Sequence, residues 1–374
     1  MISVLHICTD FWPSTGGIEN FVLSLAKQSN ASGFRASVLC FDRINGGTRA
    51  LAAQDSIEGV SVTRIPYIDL KFYKPTRLPL SLLRSYDIVH VHGVGAPLDY
   101  AVITKLLHRR PIIVSTHGGI FHTKTLLPLK RLYFFGVARA ALKGVDSVVA
   151  CSSSDELLFR RISDRVVLIE NAVSIDEHLR LPLARKVPGR CLYVGRLSQN
   201  KGVPSLLHAF AEAKRMGAQF CLRLVGPDRE GRSREYRALA QSLGIDQEVC
   251  FVGEVGDAEL LSEYEQAENF VSASTYEGFG LSALEARAAG CRLMVQANEA
   301  FISLFAKDSG AHLIDFSQHQ AAGAVVQKLL ALRPSHSESD ERRDVARYSW
   351  EIKIQEWQAL YEQKVQPTKL ASIV

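Results

Sequence analysis

Residues 191–203 read Cys191-Leu192-Tyr193-Val194-Gly195-Arg196-Leu197-Ser198-Gln199-Asn200-Lys201-Gly202-Val203. An apolar run ends in a loop with glycines and two cations, and Val203 opens a helical pattern that reaches Met216. The amino end has the same design: Val4–Cys8 leads through Ser14-Thr15-Gly16-Gly17-Ile18-Glu19 into a helical pattern over Gly17–Ala31. Short β-branched runs recur after each of these openings. In the first half they are Ser37–Phe41, Val60–Ile65, Ile88–His92, Ile112–Thr116, Val148–Cys151 and Val166–Ile169, with helical patterns at Pro97–Leu107 and Leu129–Lys143. In the second half they are Phe220–Val225, Val249–Val252, Phe270–Ser272, Leu293–Val295 and His312–Ile314, with helices over Arg232–Leu243, Asp257–Ala267 and Gly280–Ala289. Runs without polar alternation imply strands covered on both faces, hence parallel sheets between helices. The chain therefore reads as α/β, with two doubly wound, Rossmann-like domains whose parallel sheets face an inter-domain cleft.

The domain bounds follow from the same pattern. Residues 1–178 form the first domain and 179–349 the second, with the joint in the polar stretch Ser174–Gly189, which carries Pro182 and Pro188. After the charged segment Ser335–Arg343 comes an amphipathic stretch, Trp350–Gln363, within a terminal segment 350–374. Periodicity leaves open whether this segment stays with the second domain or crosses back to the first.

Composition narrows the class. The chain has 374 residues, 47% hydrophobic and 22% charged, with 26 Gly and 13 Pro, which suits a folded two-domain protein and excludes collagen and low-complexity disorder. No run approaches the ~18–20 apolar residues of a membrane span. Met1-Ile2-Ser3-Val4 lacks a basic leader, so a cytoplasmic location is expected. Seven scattered cysteines without a Cys-x-x-Cys pair read as buried, reduced thiols. The net charge of +5 is uneven: positions 1–178 hold 20 basic and 15 acidic residues, and the remainder is balanced. A basic half suggests an anionic partner such as phospholipid headgroups, a diphosphate or nucleic acid. No clustered basic helix or nucleic-acid motif accompanies it, so nucleic acid is not expected.

Four segments carry chemistry. Gly16 and Gly17 at a helix start let a ligand approach the backbone, where free N–H groups suit an anion; a plain tight turn is the alternative. Arg196 and Lys201, again after a strand and before a helix, offer fixed positive charge to a diphosphate, or are two solvated cations in a surface loop. In Ser274-Thr275-Tyr276-Glu277-Gly278-Phe279-Gly280-Leu281-Ser282-Ala283-Leu284-Glu285, Glu277 precedes a helix start and Glu285 lies eight positions on, about two turns at ~3.6 residues per turn. Two carboxylates along one groove suit sugar hydroxyls. Finally, Ser115-Thr116-His117-Gly118-Gly119 ends a middle strand, where open α/β sheets bind ligands. The neighbouring His90-Val91-His92 could suggest metal, but no companion Cys/Asp cluster or Asp-x-Asp is present, so no metal is expected.

Taken in order, Gly-Gly-x-Glu, His-Gly, Gly-Arg…Lys-Gly and Glu-x7-Glu resemble the retaining glycosyltransferases of the GT-B fold (glycosyltransferase family 4) over essentially the whole chain. Phe11–Glu19 and Val114–Thr123 are most similar to the bacterial α-mannosyltransferases of xanthan- and acetan-type exopolysaccharide assembly. These move mannose from GDP-mannose onto a disaccharide carried on polyprenyl diphosphate at the inner face of the cytoplasmic membrane. The resemblance implies a metal-free reaction without cofactor, with His117 and Glu277 at the reacting sugar. It implies that Arg196, Lys201 and the Gly17 N–H hold the donor diphosphate, and that Glu285 holds the ribose. The N–H groups of Phe279, Gly280 and Leu281 would help Glu277, and Gly16 and Glu19 would border the acceptor. Retention of configuration is likewise implied by the family alone.

There are departures. Asn171-Ala172-Val173-Ser174 stands where the family usually has Asn-Gly-Val-Asp, Cys291-Arg292-Leu293-Met294-Val295 lacks the usual Pro, and Asn298-Glu299-Ala300 replaces a common glycine pair. The last two adjoin the sugar pocket and bear on the donor's identity. A UDP-glucose or UDP-galactose donor is the nearest alternative, and an epimerase or glycan phosphorylase on the same fold is another. A lipid-linked acceptor also gives meaning to Leu70–Leu78 and Lys124–Lys143, where bases mix with aromatics and Leu as on a membrane-docking surface; an ordinary buried helix over Leu132–Val137 is the alternative.

Overall fold

The structure, a computed structural model, describes residues 1–14, 16–44, 47, 49–70, 73–118, 127–332, 342 and 344–370, with backbone alone at 127 and 366–370. Thr15, Lys71, Phe72 and residues 119–126, 335–341, 343 and 371–374 of the segments singled out above lie outside the described residues. The chain divides into two compact units, Met1–Ala172 with Trp350–Val374, and Val173–Ser349.

The first unit is built on eight strands: β1 (Ser3–Ile7), β2 (Arg35–Phe41), β3 (Gln54–Ile57), β4 (Val60–Ile65), β5 (Ile88–His92), β6 (Ile112–Ser115), β7 (Ser147–Ala150) and β8 (Val166–Leu168). Their order is β3-β4-β2-β1-β5-β6-β7-β8, parallel throughout except where β3 runs antiparallel to β4. β1 and β5 are buried at every position, their apolar residues interrupted by Ser3, His6, His90 and His92. β3 escapes a reading based on apolar runs because Gln54-Asp55-Ser56 is polar and exposed; such a strand protects a sheet edge from further pairing.

The terminal helix, Trp350–Leu370, belongs to this unit. Trp350, Ile354, Trp357, Tyr361 and Val365 form one helical stripe that packs with Val4, Phe21, Leu25 and Ile88. The chain leaves the first unit at Ala172, ahead of the joint read at Ser174–Gly189. That stretch is packed structure of the second unit: the Val173 N–H donates to the Tyr348 carbonyl at 2.8 Å, and the Arg342 guanidinium donates to the carbonyls of His178, Leu179 and Leu181. A single arginine satisfies a segment whose polar composition alone looks like a linker.

The second unit holds β9 (Val187–Val194), β10 (Cys221–Val225), β11 (Val249–Gly253), β12 (Ala267–Ser272), β13 (Arg292–Gln296) and β14 (Ala311–Ile314). Their order is β11-β10-β9-β12-β13-β14, all parallel. Helices cover both faces, with Leu206 and Phe210 in one core and Leu284 and Phe301 in the other. All seven cysteines are free thiols; five are buried as expected, whereas Cys221 and Cys250 are exposed on the outer strands β10 and β11. In each sheet the winding reverses once, between β1 and β5 and between β9 and β12. Those are the switch points at whose carboxyl ends open α/β sheets bind ligands.

A polar seam crosses the first core at its switch point. His6 of β1 and His92 of β5 share a hydrogen bond (Nδ1 to Nε2, 3.0 Å), and His90 is held by the Tyr361 hydroxyl at 2.9 Å and Ser115 Oγ at 2.8 Å. Burial lowers His6 to about 3 and holds His90 and His92 well below the ordinary histidine value. All three are neutral in the folded unit, while the unfolded chain takes up protons near pH 6.5. Stability is therefore lost as pH falls below that value, at about 1.4 kcal/mol per unit for each such group. Trp12, Trp350 and Trp357, the three tryptophans of the chain, all lie in this unit, so their fluorescence reports it alone. Acid titration is expected to unfold the unit between pH 6 and 4; unchanged emission down to pH 3 contradicts a buried neutral seam.

Candidate functional site

In the second unit the loop after β9 and the loop after β12 come together. β9 and β12 are paired neighbours, so their carboxyl ends deliver residues 195–202 and 273–280 side by side. Gly202 makes the approach possible. Its φ is +66°, and an added Cβ would lie 2.1 Å from the Ala273 carbonyl oxygen, so only glycine fits. The Asn200 carbonyl accepts from the Thr275 N–H at 3.0 Å and locks the loops backbone to backbone.

This packing brings two of the expected motifs into direct contact. Lys201 Nζ donates to Glu277 Oε1 at 2.6 Å, with both side chains less than one-fifth exposed. The ammonium has three N–H donors and the carboxylate two oxygens, so each keeps capacity for a further polar group. Arg196 lies on the same loop, exposed, and among the described residues it pairs with no acid. Its carbonyl accepts from the Tyr193 hydroxyl at 2.8 Å, which fixes the backbone that carries the guanidinium.

The loop of Glu277 ends at Gly280, which has φ +91° and starts the helix Leu281–Ala288. A Cβ at Gly280 would meet the Phe301 ring at 2.8 Å, so this turn also needs glycine. Phe279 turns its side chain inward, 6% exposed against Tyr348, and serves as an anchor for the helix start. The first N–H groups of that helix, beginning at Leu281, precede its internal bonding. Four positions into the helix, Glu285 accepts from the Tyr264 hydroxyl at 2.7 Å on Oε2. Burial raises its carboxyl above the usual range, against the pull of that hydrogen bond. Arg287, fully buried, clamps the helix to Asp308 through paired contacts of 2.8 and 2.9 Å.

Asn298, which stands where the family commonly has a glycine pair, makes two bonds that the sequence does not announce. Its Oδ1 caps the helix Glu299–Phe305 by accepting from the Phe301 N–H at 2.9 Å, and its Nδ2 donates to the Ser274 carbonyl at 2.9 Å. It thus ties β13's loop to the base of the Glu277 loop, where a glycine pair has no side chain to do so. The visible signal was an Asn directly before an acid-led helical run.

In the first unit, Gly16 precedes the helix Gly17–Ala31. The Glu19 carboxylate folds back over it; a Cβ at Gly16 would lie 2.5 Å from Glu19 Oε2. Glu19 bonds its own backbone N–H, and burial raises its pKa, so the helix start already holds a carboxyl group. Gly17 is exposed and open, with no atom near where a Cβ would stand. His117 adopts a left-handed φ of +48° at the end of β6. Its Nε2 meets His92 Nδ1 at 2.9 Å, and burial lowers its pKa to about 4. His6, His90 and His92 bring ligating atoms within 4.8 Å of one another. Among the described residues, five of their six nitrogens are engaged with each other, Tyr361, Ser115 and His117, the buried His6 Nε2 has no partner, and no carboxylate joins them to offset a dication. The trio is a hydrogen-bonded seam.

Comparison with known proteins identifies the family and the fold. The model of "Glycosyltransferase Family 4" matches residues 15–177, and that of "Glycosyl transferases group 1" matches 177–349. The chain is 32% identical to a GDP-mannose:cellobiosyl-diphosphopolyprenol alpha-mannosyltransferase of Xanthomonas campestris, covering 93% of each chain. It is 30% identical to the protein of the same name from Komagataeibacter xylinus, covering 97% of this chain and 93% of that one. Among solved structures, a sucrose-phosphate synthase from Thermosynechococcus elongatus superposes with a TM-score of 0.71 at 20% identity over 97% of this chain and 99% of the other, a likeness of fold. With both halves matched in order and relatives aligned nearly end to end, the chain belongs to glycosyltransferase family 4 and has the GT-B fold.

Proposed function

We propose that this protein is a retaining α-mannosyltransferase that moves mannose from GDP-mannose to an oligosaccharide on polyprenyl diphosphate, in the synthesis of a bacterial exopolysaccharide. The observation that carries the reading is the Lys201–Glu277 contact, which joins the cation assigned to the diphosphate and the carboxylate assigned to the sugar at one switch point. The relatives' substrates supply the identities of donor and acceptor.

In this reading the second unit binds the donor and the first the acceptor. Lys201 and Arg196 hold the diphosphate, Glu285 the ribose hydroxyls, and Glu277 the mannose, aided by the N–H groups of Phe279, Gly280 and Leu281. From the first unit, Gly17 offers an N–H to the diphosphate and His117 contacts the transferred sugar, while Gly16 and Glu19 border the acceptor. The bond between the anomeric carbon and the diphosphate oxygen breaks, the acceptor oxygen bonds to the same face, and its proton passes to the departing oxygen. Negative charge grows on the diphosphate as it leaves, and pre-placed cations and a helix N-terminus stabilise it. Each such group is worth about 3–4 kcal/mol of barrier by analogy with oxyanion-hole donors. This chemistry needs no metal.

A lipid-linked acceptor supports a location at the inner face of the cytoplasmic membrane. Among the described residues no helix is long and apolar enough to cross a membrane, so the association proposed is peripheral. Over Leu127–Leu142, Phe134 is buried, but Leu132 is 73% exposed and Phe135 and Val137 are about half exposed, beside the bases Arg131 and Arg139. That face supports docking on anionic headgroups.

Three measurements check the proposal. Given GDP-mannose, UDP-glucose and UDP-galactose with a membrane extract, the purified protein should label the lipid fraction from GDP-mannose, and EDTA should leave the rate unchanged. Label from a UDP-sugar overturns the donor, and a loss restored by Mn²⁺ overturns the metal-free mechanism. Lys201→Ala and Arg196→Ala should each slow transfer on the order of 100- to 1,000-fold while circular dichroism stays native; near-normal turnover in both removes the donor-site assignment. Sedimentation with phosphatidylglycerol vesicles should bind the protein at low salt and release it at high salt, and absence of binding at low salt counts against peripheral docking.

A further inference from the structure

His117 combines a strained backbone with a ring that could turn. Its turn is secured by Asp155, a 5% exposed carboxylate in the first turn of the helix Ser153–Phe159. Asp155 Oδ2 accepts from the Gly118 N–H at 2.8 Å and from the Thr116 hydroxyl, so the residues on both sides of His117 are tied to one oxygen. A left-handed non-glycine residue persists where its surroundings over-determine it, and this clasp does so. It leaves the imidazole to be oriented by other means.

The ring is held by His92. The two imidazoles lie 5.2 Å apart at 26°, joined by the 2.9 Å bond between His92 Nδ1 and His117 Nε2, and the other nitrogen of His92 meets His6. On its remaining side, His117 Nδ1 has only a long contact to Cys151 Sγ at 3.6 Å, and Phe21 lies edge-on at 5.1 Å. A neutral imidazole has one N–H, and each nitrogen–nitrogen bond in the string needs one proton between its partners. The tautomers of His6, His92 and His117 are therefore linked: a change in one forces the others. Whichever nitrogen of His117 bears the proton is decided within the core of the unit.

We propose that His92 is a positioning residue for His117, fixing the orientation and tautomer of the ring that meets the transferred sugar without itself touching the sugar. This rests on the role given to His117 above, and a double-mutant cycle separates the two. His92→Leu should lower kcat at least tenfold and change the donor KM less than threefold. His92→Asn, which returns an amide near the position of Nδ1, should recover most of the loss. In a His117→Ala background, His92→Leu should cost less than a further twofold, because its effect passes through the missing ring. Tryptophan emission confirms that the first unit of each variant is folded. A severe His117→Ala beside a multiplying His92→Leu, or beside a harmless one, overturns the positioning role alone. A harmless His117→Ala overturns the role of His117 and this inference with it.

Discussion

The pairing of β9 with β12 is the constraint on which the second unit's chemistry depends. These strands lie far apart in sequence, and only the reversal of winding makes them neighbours. Once they are neighbours, a loop with Lys201 and a loop with Glu277 must share the space beyond their carboxyl ends. Gly202 then sets how closely the loops approach, since any side chain there would strike the backbone after β12. The ion pair is a consequence of the topology. Partly sheltered from water, it holds the two groups more firmly than a solvated pair on the surface would be held.

The first unit follows the same rule with different chemistry. At its switch point β1 and β5 meet, and the residues there are imidazoles in place of an ion pair. Burial keeps them neutral, so the seam carries direction through hydrogen bonds and no net charge. In the proposed reaction the first half would hold the reacting sugar by orientation and the second would stabilise the departing anion by charge.

Much of this was legible in the sequence, for physical reasons that also explain the rest. Strands covered on both faces are rich in apolar β-branched residues, so β1, β5, the end of β9 and β13 announce themselves, and glycine-bearing loops after β9 and β12 mark strand ends. Gln54–Ile57 did not, because an exposed edge strand needs no apolar run. The partner of the Trp350–Leu370 stripe was hidden because periodicity tells which face of a helix is buried and not what buries it. The residue-to-residue bonds of the site were also hidden. Neither Glu19 folding over Gly16 nor Tyr264 holding Glu285 leaves a trace in spacing, and Asn298 reads as an ordinary cap until its second bond to Ser274 is seen.

The placement of the terminal helix bears on how the molecule is made. Trp350, Trp357 and Tyr361 complete the core around Val4, Phe21 and Ile88, yet they are translated last. The amino-terminal sheet must wait with one flank uncovered until some 180 intervening residues have left the ribosome. The intervening unit draws its core from a continuous stretch and can close first. Synthesis order and completion order are therefore reversed, and the waiting flank is where a chaperone would find exposed apolar surface on the nascent chain.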